Sequence, residues 1–373
     1  MDLLAPDGHR RPELAAGGNG RMTETLRHGL GAALLTAALF SGAGAQSETG
    51  PSLRILEFTE LSDWDLDNHV EALRVFRETC MDMDGADWQS LCAMAQNADD
   101  SGARAFFELF FRPVLIEDGK EGLFTGYFEP ELNGARQRGG RFQYPVYRMP
   151  PEARQSSTWL SRRDILTSGV MDGRGLEIAW VDDPVELFFL QIQGSGRIKL
   201  QDGSVIRLGY GGANGHPYRS IGQEMVRRGI YNLHQVSAGV IQNWVRRNPG
   251  PGMELLMHNP SYVFFREVRK VPSNRGPLGA MNRSITPMRS IAVDPAYTPL
   301  GAPVWIEKNG QTKMRRLMIA QDTGSAIKGA QRADIFFGPG DEAGRQAGQL
   351  RDPGRMMVLM PIQRAYAMLP DDL

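Results

Sequence analysis

The sequence predicts a mainly β protein with a minor share of helix, built from small barrels rather than from a parallel α/β sheet. Glycine and proline are plentiful and spread along the 373-residue chain, with 43 and 23 copies, which is typical of turn-rich β architectures. Short β-type runs recur between turn signals, and two of these, Asp202–Gly203 and Asn309–Gly310, are strong hairpin turns. The length allows two domains.

A secretory signal peptide is predicted at residues 1–45. An apolar run at 30–40 follows Arg27 and ends in small residues, with cleavage expected before Gln46. This run is too short to span a membrane as an ordinary helix, and no cysteine follows it that could carry a lipid anchor. The sequence therefore predicts a periplasmic protein that is soluble rather than lipid-anchored.

Two helical regions interrupt the β texture. Residues 59–115 show apolar residues at helical spacing, and Ser101 is expected to cap the last of these helices. A second helical stretch is expected to begin after Ser220, with Gln223 at capping-box spacing. The segment between them, including VELFFLQIQGSGRIKL, is interpreted as β-type runs.

Composition limits the chemistry. The formal net charge is −1, which argues against a nucleic-acid partner. Cys80 and Cys92 are the two cysteines, and in an exported protein they favour one disulfide, with two free thiols as the alternative. The six histidines are scattered, so no metal site and no cofactor are expected.

Three aspartates stand at the edges of apolar runs. Asp294 follows RSIAV, Asp322 follows LMIAQ, and Asp334 precedes IFFG. A carboxyl group against an apolar wall has a raised pKa, and neighbouring carboxylates raise it further. A carboxylic acid that stays protonated near neutral pH is what glycosidic cleavage requires. The alternative is that these aspartates cap turns, as DTG and DP commonly do.

Further polar and aromatic residues could contact sugar hydroxyls and faces, although a structural role in tight loops is an equal alternative. They lie in the segments FTGYFEP, QIQGSG and GYGGANGHPYRSIG. The candidates for substrate binding are Tyr127, Gln193, Gly194, Ser195, Gly196, Tyr210, Asn214 and His216.

Taken together, GYFEPEL, FQYPVYRMP, QGSG, YGGANGHPYRSIG, NPSYVFF and the aspartate-bearing C-terminal segment resemble one family. This is the membrane-bound lytic murein transglycosylase A family, with its three-aspartate domain. The resemblance implies a double-psi β-barrel with a second, smaller β-barrel domain inserted into it and a substrate groove between them. It places the first domain at 47–127 and 266–373, with N-terminal helices, and the inserted domain at 128–265.

The resemblance also implies a reaction. Members act as peptidoglycan lytic exotransglycosylases, which cut from the ends of glycan strands. For this protein the sequence leaves cleavage within strands as an alternative. Members cut the β-1,4 bond between N-acetylmuramic acid and N-acetylglucosamine and leave a 1,6-anhydromuramic acid end. The catalytic acid/base would be Asp334, with Asp322 and Asp294 in support. The implied partner is the peptidoglycan glycan strand, and the protein is expected to be a monomer. Contacts with other cell-wall enzymes are possible, and the sequence does not identify them.

Two other functions fit part of the pattern. A non-catalytic peptidoglycan-binding or expansin-like protein could keep an acidic groove residue without cleaving bonds, because function resides in the site rather than the fold. A water-using β-1,4-glycan hydrolase would use Asp322 as a base beside Asp334. Ser-His-Asp, Cys-His and metal sets are not apparent in the sequence, which leaves little support for a protease or nuclease.

Overall fold

The computed structural model describes residues 50–269, 271, 275–310 and 312–369. The predicted signal peptide and its cleavage site lie outside the described residues. Within these ranges no helix has the length and apolarity needed to cross a membrane.

The described residues form fourteen strands and eleven α-helices. In chain order the strands are β1 (Ser52–Ile55), β2 (Phe111–Glu117), β3 (Leu123–Glu129), β4 (Glu131–Ala135), β5 (Tyr144–Tyr147), β6 (Glu177–Val181), β7 (Gly196–Leu200), β8 (Val205–Ala213), β9 (Val263–Glu267), β10 (Ser290–Val293), β11 (Pro303–Lys308), β12 (Met314–Thr323), β13 (Arg332–Pro339) and β14 (Arg351–Pro361). The helices are α1 (His69–Cys80), α2 (Ala86–Asn97), α3 (Ala103–Phe110), α4 (Pro151–Gln155), α5 (Arg162–Thr167), α6 (Pro184–Gln193), α7 (Ile221–Arg227), α8 (Ala238–Arg247), α9 (Pro249–Leu256), α10 (Gly340–Gln349) and α11 (Ile362–Ala367).

The first sheet closes on itself. Its eight strands run in the order β1-β2-β14-β11-β12-β10-β13-β3, and β14 also pairs with β3. Six strands, from β14 round to β3, therefore form a closed ring, which leaves no exposed edge among them. The pairs β10–β12 and β13–β3 are parallel. Apolar side chains such as Ile291, Val304 and Ile335 fill the interior of the ring.

The second sheet has six strands in the order β5-β6-β4-β7-β8-β9. Its hydrogen bonding is open, but the edge strands β5 and β9 curl until Cα atoms come within 8 Å of each other. Leu132, Ile198 and Phe265 lie in its own core. The mainly β fold class with two barrel-like sheets is confirmed. All strands of this sheet lie between 131 and 267, and the division into an inserted domain at 128–265 stays a prediction.

The N-terminal helices cover the outside of the ring and depart from the prediction at two points. Residues 111–117 form β2 instead of continuing the helix, because Val114, Leu115 and Ile116 are buried in the sheet. Ser101 does not cap α3; it lies inside a short 3-10 turn, and its own N–H donates to Asp99 Oδ1 at 3.3 Å. Cys80 and Cys92 form a disulfide that joins α1 to α2.

Helix α6 corrects the β interpretation of VELFFLQIQ. Asp183 Oδ1 accepts hydrogen bonds from the N–H groups of Val185 and Glu186, at 2.7 and 3.3 Å, and Pro184 occupies the first turn. This is a standard helix start. Gly194 ends the helix in the left-handed region, with φ of 76°. The cap and the stop signal outweighed the β propensity of the apolar run.

Other local predictions are confirmed. Asp202–Gly203 turns β7 into β8, and Asn309–Gly310 lies in the turn between β11 and β12. Ser220 caps α7 by accepting a hydrogen bond from Gln223 N at 3.3 Å.

Candidate active site

Asp322 and Asp334 lie on strands that flank β10. Both residues pair with Ala292, Asp322 from β12 and Asp334 from β13. Two strand spacings separate their Cα atoms, a distance of about 10 Å. Because both are in register with Ala292, all three side chains point to the same face of the sheet.

A β-bulge places Asp322 on this face. Ile291 pairs with Ala320, whereas its neighbour Ala292 pairs with Asp322, so Gln321 is the extra residue. Without that residue Asp322 would point into the ring with Ala320, because side chains alternate along a strand. Gln321 is buried and donates through Nε2 to Thr79 Oγ1 at 2.7 Å, which fixes the bulge against α1.

Asp334 has one oxygen bound and one open. Thr125 Oγ1 donates to Asp334 Oδ1 at 2.6 Å, and Arg332 Nη2 donates to the same Thr125 oxygen at 2.8 Å. Asp334 Oδ2 makes no hydrogen bond with the described residues. The sequence analysis selected the segment FTGYFEP for Tyr127, but it did not identify Thr125 or Arg332 as partners of Asp334. Thr125 lies two residues before Tyr127, a spacing that places both on one strand face.

Asp322 has both oxygens bound. Oδ1 accepts from the backbone N–H groups of Ala280 and Thr323, at 3.0 and 2.9 Å. Oδ2 accepts from the Tyr127 hydroxyl at 3.0 Å. The structure thus makes Tyr127, which is 9% exposed, a hydrogen-bond donor to Asp322, with little ring surface left for a sugar.

Both carboxyl groups are partly buried and have raised pKa values. Burial raises the pKa of Asp322 to about 6, against the lowering effect of its N–H and hydroxyl donors, and the nearby charge of Asp334 raises it further. Burial also raises the pKa of Asp334, while the Thr125 hydrogen bond and the Arg332 charge oppose the shift. Both groups therefore hold a proton at a higher pH than an ordinary aspartate does.

Asp294 has a different environment. It is 7% exposed, and Oδ2 accepts from Gly329 N at 3.0 Å while Oδ1 lies 3.6 Å from Lys328 Nζ. Burial raises its pKa, but the backbone N–H groups and Lys328 outweigh burial, so the net pKa is lowered. Lys328 and Gly329 belong to the loop between Asp322 and Asp334. Asp294 therefore anchors that loop through these contacts, and its supporting role in the reaction stays a prediction.

The QGSG segment adjoins the aspartates through β3. Gln193 Oε1 accepts a hydrogen bond from Phe128 N at 3.1 Å, next to Tyr127. Gly194 faces the ring of Tyr210, which is 55% exposed. Ser195 is 9% exposed. A side chain at Gly196 would clash with Leu190 and Pro130, so this glycine serves packing. Gln193, Gly194 and Tyr210 remain candidates for contact with substrate.

Asn214 and His216 are committed to backbone contacts. Asn214 is 1% exposed; its Nδ2 donates to the carbonyls of Leu160 and Pro260, and its Oδ1 accepts from Tyr262 N. His216 Nε2 lies 2.7 Å from the carbonyl oxygen of Trp159. Both side chains hold loops together. Asn214 is buried with its polar atoms used, whereas His216 is partly exposed, so a sugar contact stays a prediction for His216.

Glu129 ties the two sheets together. Its carboxylate is fully buried at the end of β3, and Arg197 Nη2 on β7 lies 2.8 Å from Oε2. Arg207 Nε on β8 lies 3.6 Å from Oε1. Burial raises the pKa of Glu129 and the two arginines oppose the shift. The charge cluster therefore fixes the position of the second sheet beside Tyr127 and Thr125.

A mainly β fold with two neighbouring carboxyl groups of raised pKa on one face is the arrangement of a carboxyl-dependent acid–base catalyst. Among the described residues no group of three or more His, Cys, Asp or Glu side chains could hold a metal ion.

Comparison with known proteins gives the family. The family model described as "MltA specific insert domain" matches residues 123–266, and the 3D domain model matches residues 289–360. A membrane-bound lytic murein transglycosylase A of Vibrio cholerae is 33% identical over 265 residues, which is 67% of this chain and 69% of the relative. The chain therefore belongs to the membrane-bound lytic murein transglycosylase A family, as the sequence resemblance indicated.

Solved structures agree. A membrane-bound lytic murein transglycosylase of Agrobacterium tumefaciens has a TM-score of 0.75 and 30% identity, and the match covers 85% of this chain and 99% of that one. Escherichia coli MltA with bound chitohexaose has a TM-score of 0.66 and 28% identity, and the match covers 84% and 95%.

Proposed function

We propose that this protein is a peptidoglycan lytic transglycosylase that cuts the β-1,4 bond between N-acetylmuramic acid and N-acetylglucosamine. A curated relative carries the name of this activity, and a solved relative holds chitohexaose, a β-1,4 glycan. The observation that carries the proposal is the difference between the two carboxyl groups. Asp334 keeps one oxygen open toward a ligand, whereas both oxygens of Asp322 are occupied.

Asp334 acts first as an acid and then as a base. Its raised pKa keeps the carboxyl protonated at higher pH, so Oδ2 can donate its proton to the glycosidic oxygen as the bond to C1 breaks. The resulting carboxylate accepts the proton of the muramic acid C6 hydroxyl while that oxygen bonds to C1. The product is a 1,6-anhydro end, and Asp334 is protonated again. No water is consumed.

Asp322 supports this cycle through charge and position. Its three donors hold the carboxyl in one orientation, which makes it a poor candidate for a nucleophile or a base that activates water. The same observation counts against the hydrolase alternative, in which Asp322 would have to bind and deprotonate a water molecule. Asp294 fixes the connecting loop.

The reaction determines where the protein must work. Peptidoglycan lies outside the cytoplasmic membrane, so we propose that the segment at 1–45 directs export and that the mature protein acts in the periplasm. Mass determination of the N-terminus of the exported protein tests the expected cleavage before Gln46.

Digestion of purified peptidoglycan followed by mass spectrometry tests the function. Muropeptides lighter by one water than the reducing-end forms are expected. Products with reducing ends would replace the proposal with a hydrolase. An intact polymer that still retains the protein on sedimentation would replace it with a binding protein.

A further inference from the structure

A cavity lies between the second sheet and its helices, apart from the aspartates. Its volume is about 640 Å³, which is within the range of small-ligand sites. It opens between the β5–β6 pair and helices α5, α6 and α9. None of its lining residues belongs to the set that holds Asp322 and Asp334.

Arg162 forms the charged wall of this cavity. It is 4% exposed, and its guanidinium donates to Gln191 Oε1 at 2.5 Å, Ser261 O at 2.6 Å and Asn259 O at 3.1 Å. No Asp or Glu oxygen of the described residues lies within 4.0 Å of it. Three of the five N–H groups of the guanidinium are engaged, so two can still donate.

A buried cation without an anion is costly. The rings of Phe188 and Tyr262 lie 4.5 and 5.2 Å from the guanidinium carbon of Arg162, and such contacts compensate only part of the lost hydration. Burial also lowers the pKa of Arg162 to about 10. An anionic group in the cavity would provide the missing charge.

Tyr262 supplies an independent sign of a ligand. It is 1% exposed and lines the same cavity. Its hydroxyl lies near the Gln191 side chain but makes no hydrogen bond of normal geometry with the described residues. A buried hydroxyl without a partner is uncommon in folded proteins. Together with the two open Arg162 N–H groups it forms a donor set that suits a carboxylate.

The rim of the cavity is aromatic. Trp180 is partly exposed with the Arg138 guanidinium carbon 5.6 Å from its ring centroid, and Tyr144 is 38% exposed. Such rings bind flat or cyclic bodies by stacking. Asp172 is the acidic residue at the rim, and it is exposed, so it does not neutralise the cavity wall.

We propose that this cavity is a second binding site that takes a carboxylate of peptidoglycan at Arg162 and Tyr262. The part of the ligand that carries this carboxylate packs against the rings of Trp180 and Tyr144. The carboxylate has two sources in the polymer, the stem peptide and the lactyl group of a peptide-free muramic acid. This inference rests on the proposed function, because that function identifies peptidoglycan as the polymer that the protein binds.

Calorimetric titration of the Asp334→Asn protein tests the site without turnover. Four probes are needed: a free stem tetrapeptide, the same peptide with its carboxyl groups amidated, a peptide-free glycan oligomer with lactyl carboxylates, and a chitin oligomer without them. We expect at least one carboxylate probe to bind about tenfold or more tightly than its uncharged counterpart, since charge-assisted hydrogen bonds discriminate by about that factor. Tight binding of the peptide or of the lactyl glycan identifies the source.

A matched pair of variants at Leu166 tests whether the probes bind in this cavity. Leu166 lines the cavity and is 41% exposed, so it can change without disturbing the core, unlike Arg162 itself. Leu166→Glu places a like charge at the mouth and should weaken the carboxylate probe about tenfold, whereas Leu166→Gln should not. Equal binding of charged and uncharged probes, equal effects of the two variants, or no binding would overturn the inference. If wild-type protein still releases anhydro products in that case, the proposed function is unaffected.

Discussion

Asp322 and Asp334 face the same side of the closed ring, on strands to either side of Ala292, but their oxygens are used differently. Asp334 keeps Oδ2 open, and Asp322 has donors on both oxygens. Both carboxyl groups have raised pKa values because they are desolvated. From this asymmetry we propose that Asp334 transfers the proton and that Asp322 supports it, and the variants below separate these roles.

Asp334→Asn should abolish most turnover. An amide of the same shape cannot supply or accept the proton, and loss of a general acid/base costs about 10²–10⁴-fold in rate. Release of soluble fragments from peptidoglycan measures the rate, and sedimentation with the polymer should show unchanged binding. Asp341→Asn, an exposed aspartate on α10, is the matched control and should keep full activity. A rate for Asp334→Asn like that of the control would remove Asp334 from the mechanism.

Thr125→Val should shift the alkaline limb of the pH–rate profile to higher pH. The Thr125 hydroxyl donates to the Asp334 carboxylate and so lowers the pKa of that group. Without this bond the carboxyl stays protonated to higher pH, and activity that requires the acid form extends with it. We expect a shift of about one pH unit or less in kcat/KM. Thr125→Ser keeps the hydroxyl and should leave the limb in place; an unchanged limb in Thr125→Val would mean that the bond does not tune Asp334.

Asp322→Asn should raise the free energy of unfolding at neutral pH relative to the wild type. The folded pKa of Asp322 is raised to about 6 from 3.8, so the folded state binds this proton more tightly than the unfolded chain. The wild type therefore loses stability as pH rises from about 4 to about 6, by about 1–3 kcal/mol, and the amide does not. Denaturant titrations at several pH values measure the difference, which should level off above pH 6.

Asp294→Asn should change the free energy of unfolding at neutral pH in the opposite direction to Asp322→Asn. The pKa of Asp294 is lowered by Gly329 N–H and Lys328, so its ionised form stabilises the fold above the unfolded pKa and this contribution is lost as pH falls. The variant should therefore be less stable than wild type at neutral pH, with the deficit shrinking in acid. Two variants with the same sign of effect would show that the environments of Asp322 and Asp294 are misassigned.

Local signals in the sequence predicted much of this fold. The hairpins at Asp202–Gly203 and Asn309–Gly310 and the Ser220 cap depend on neighbours within a few residues, and all are present. Helix α6 has the same kind of signals at Asp183–Pro184 and Gly194, but the β propensity of its apolar residues favours a strand. The closure of the ring by β14 and β3 could not be predicted, because that pairing is non-local.

The disulfide gives a stability prediction that is independent of the site. Cys80 and Cys92 are 12 residues apart in sequence, and closing a loop of this size removes unfolded-state entropy worth about 3 kcal/mol. The Cys80→Ser/Cys92→Ser double variant should lose about 2–3 kcal/mol in denaturant titrations. Wild type treated with reductant should fall to the same midpoint, and a thiol count of two in the untreated protein would contradict the pairing.

The candidate site was predicted in its residue types but not in its geometry. The three aspartates could be selected because each borders an apolar run. Their different roles depend on partners far away in sequence: Thr125 lies 209 residues from Asp334, and Tyr127 lies 195 residues from Asp322. The bulge at Gln321, which turns Asp322 to the correct face, is also set by tertiary contact with Thr79. Asn214 was selected by residue type, and the loops around it use its polar atoms.

Digestion of peptidoglycan in heavy-oxygen water tests the central claim most directly. If Asp334 serves as both acid and base and the C6 hydroxyl of muramic acid closes the ring, no solvent oxygen enters the product. The account predicts anhydro muropeptides without heavy oxygen from the wild type, and no such products from Asp334→Asn. Products with reducing ends that carry the heavy isotope would contradict it and would show that water is the nucleophile.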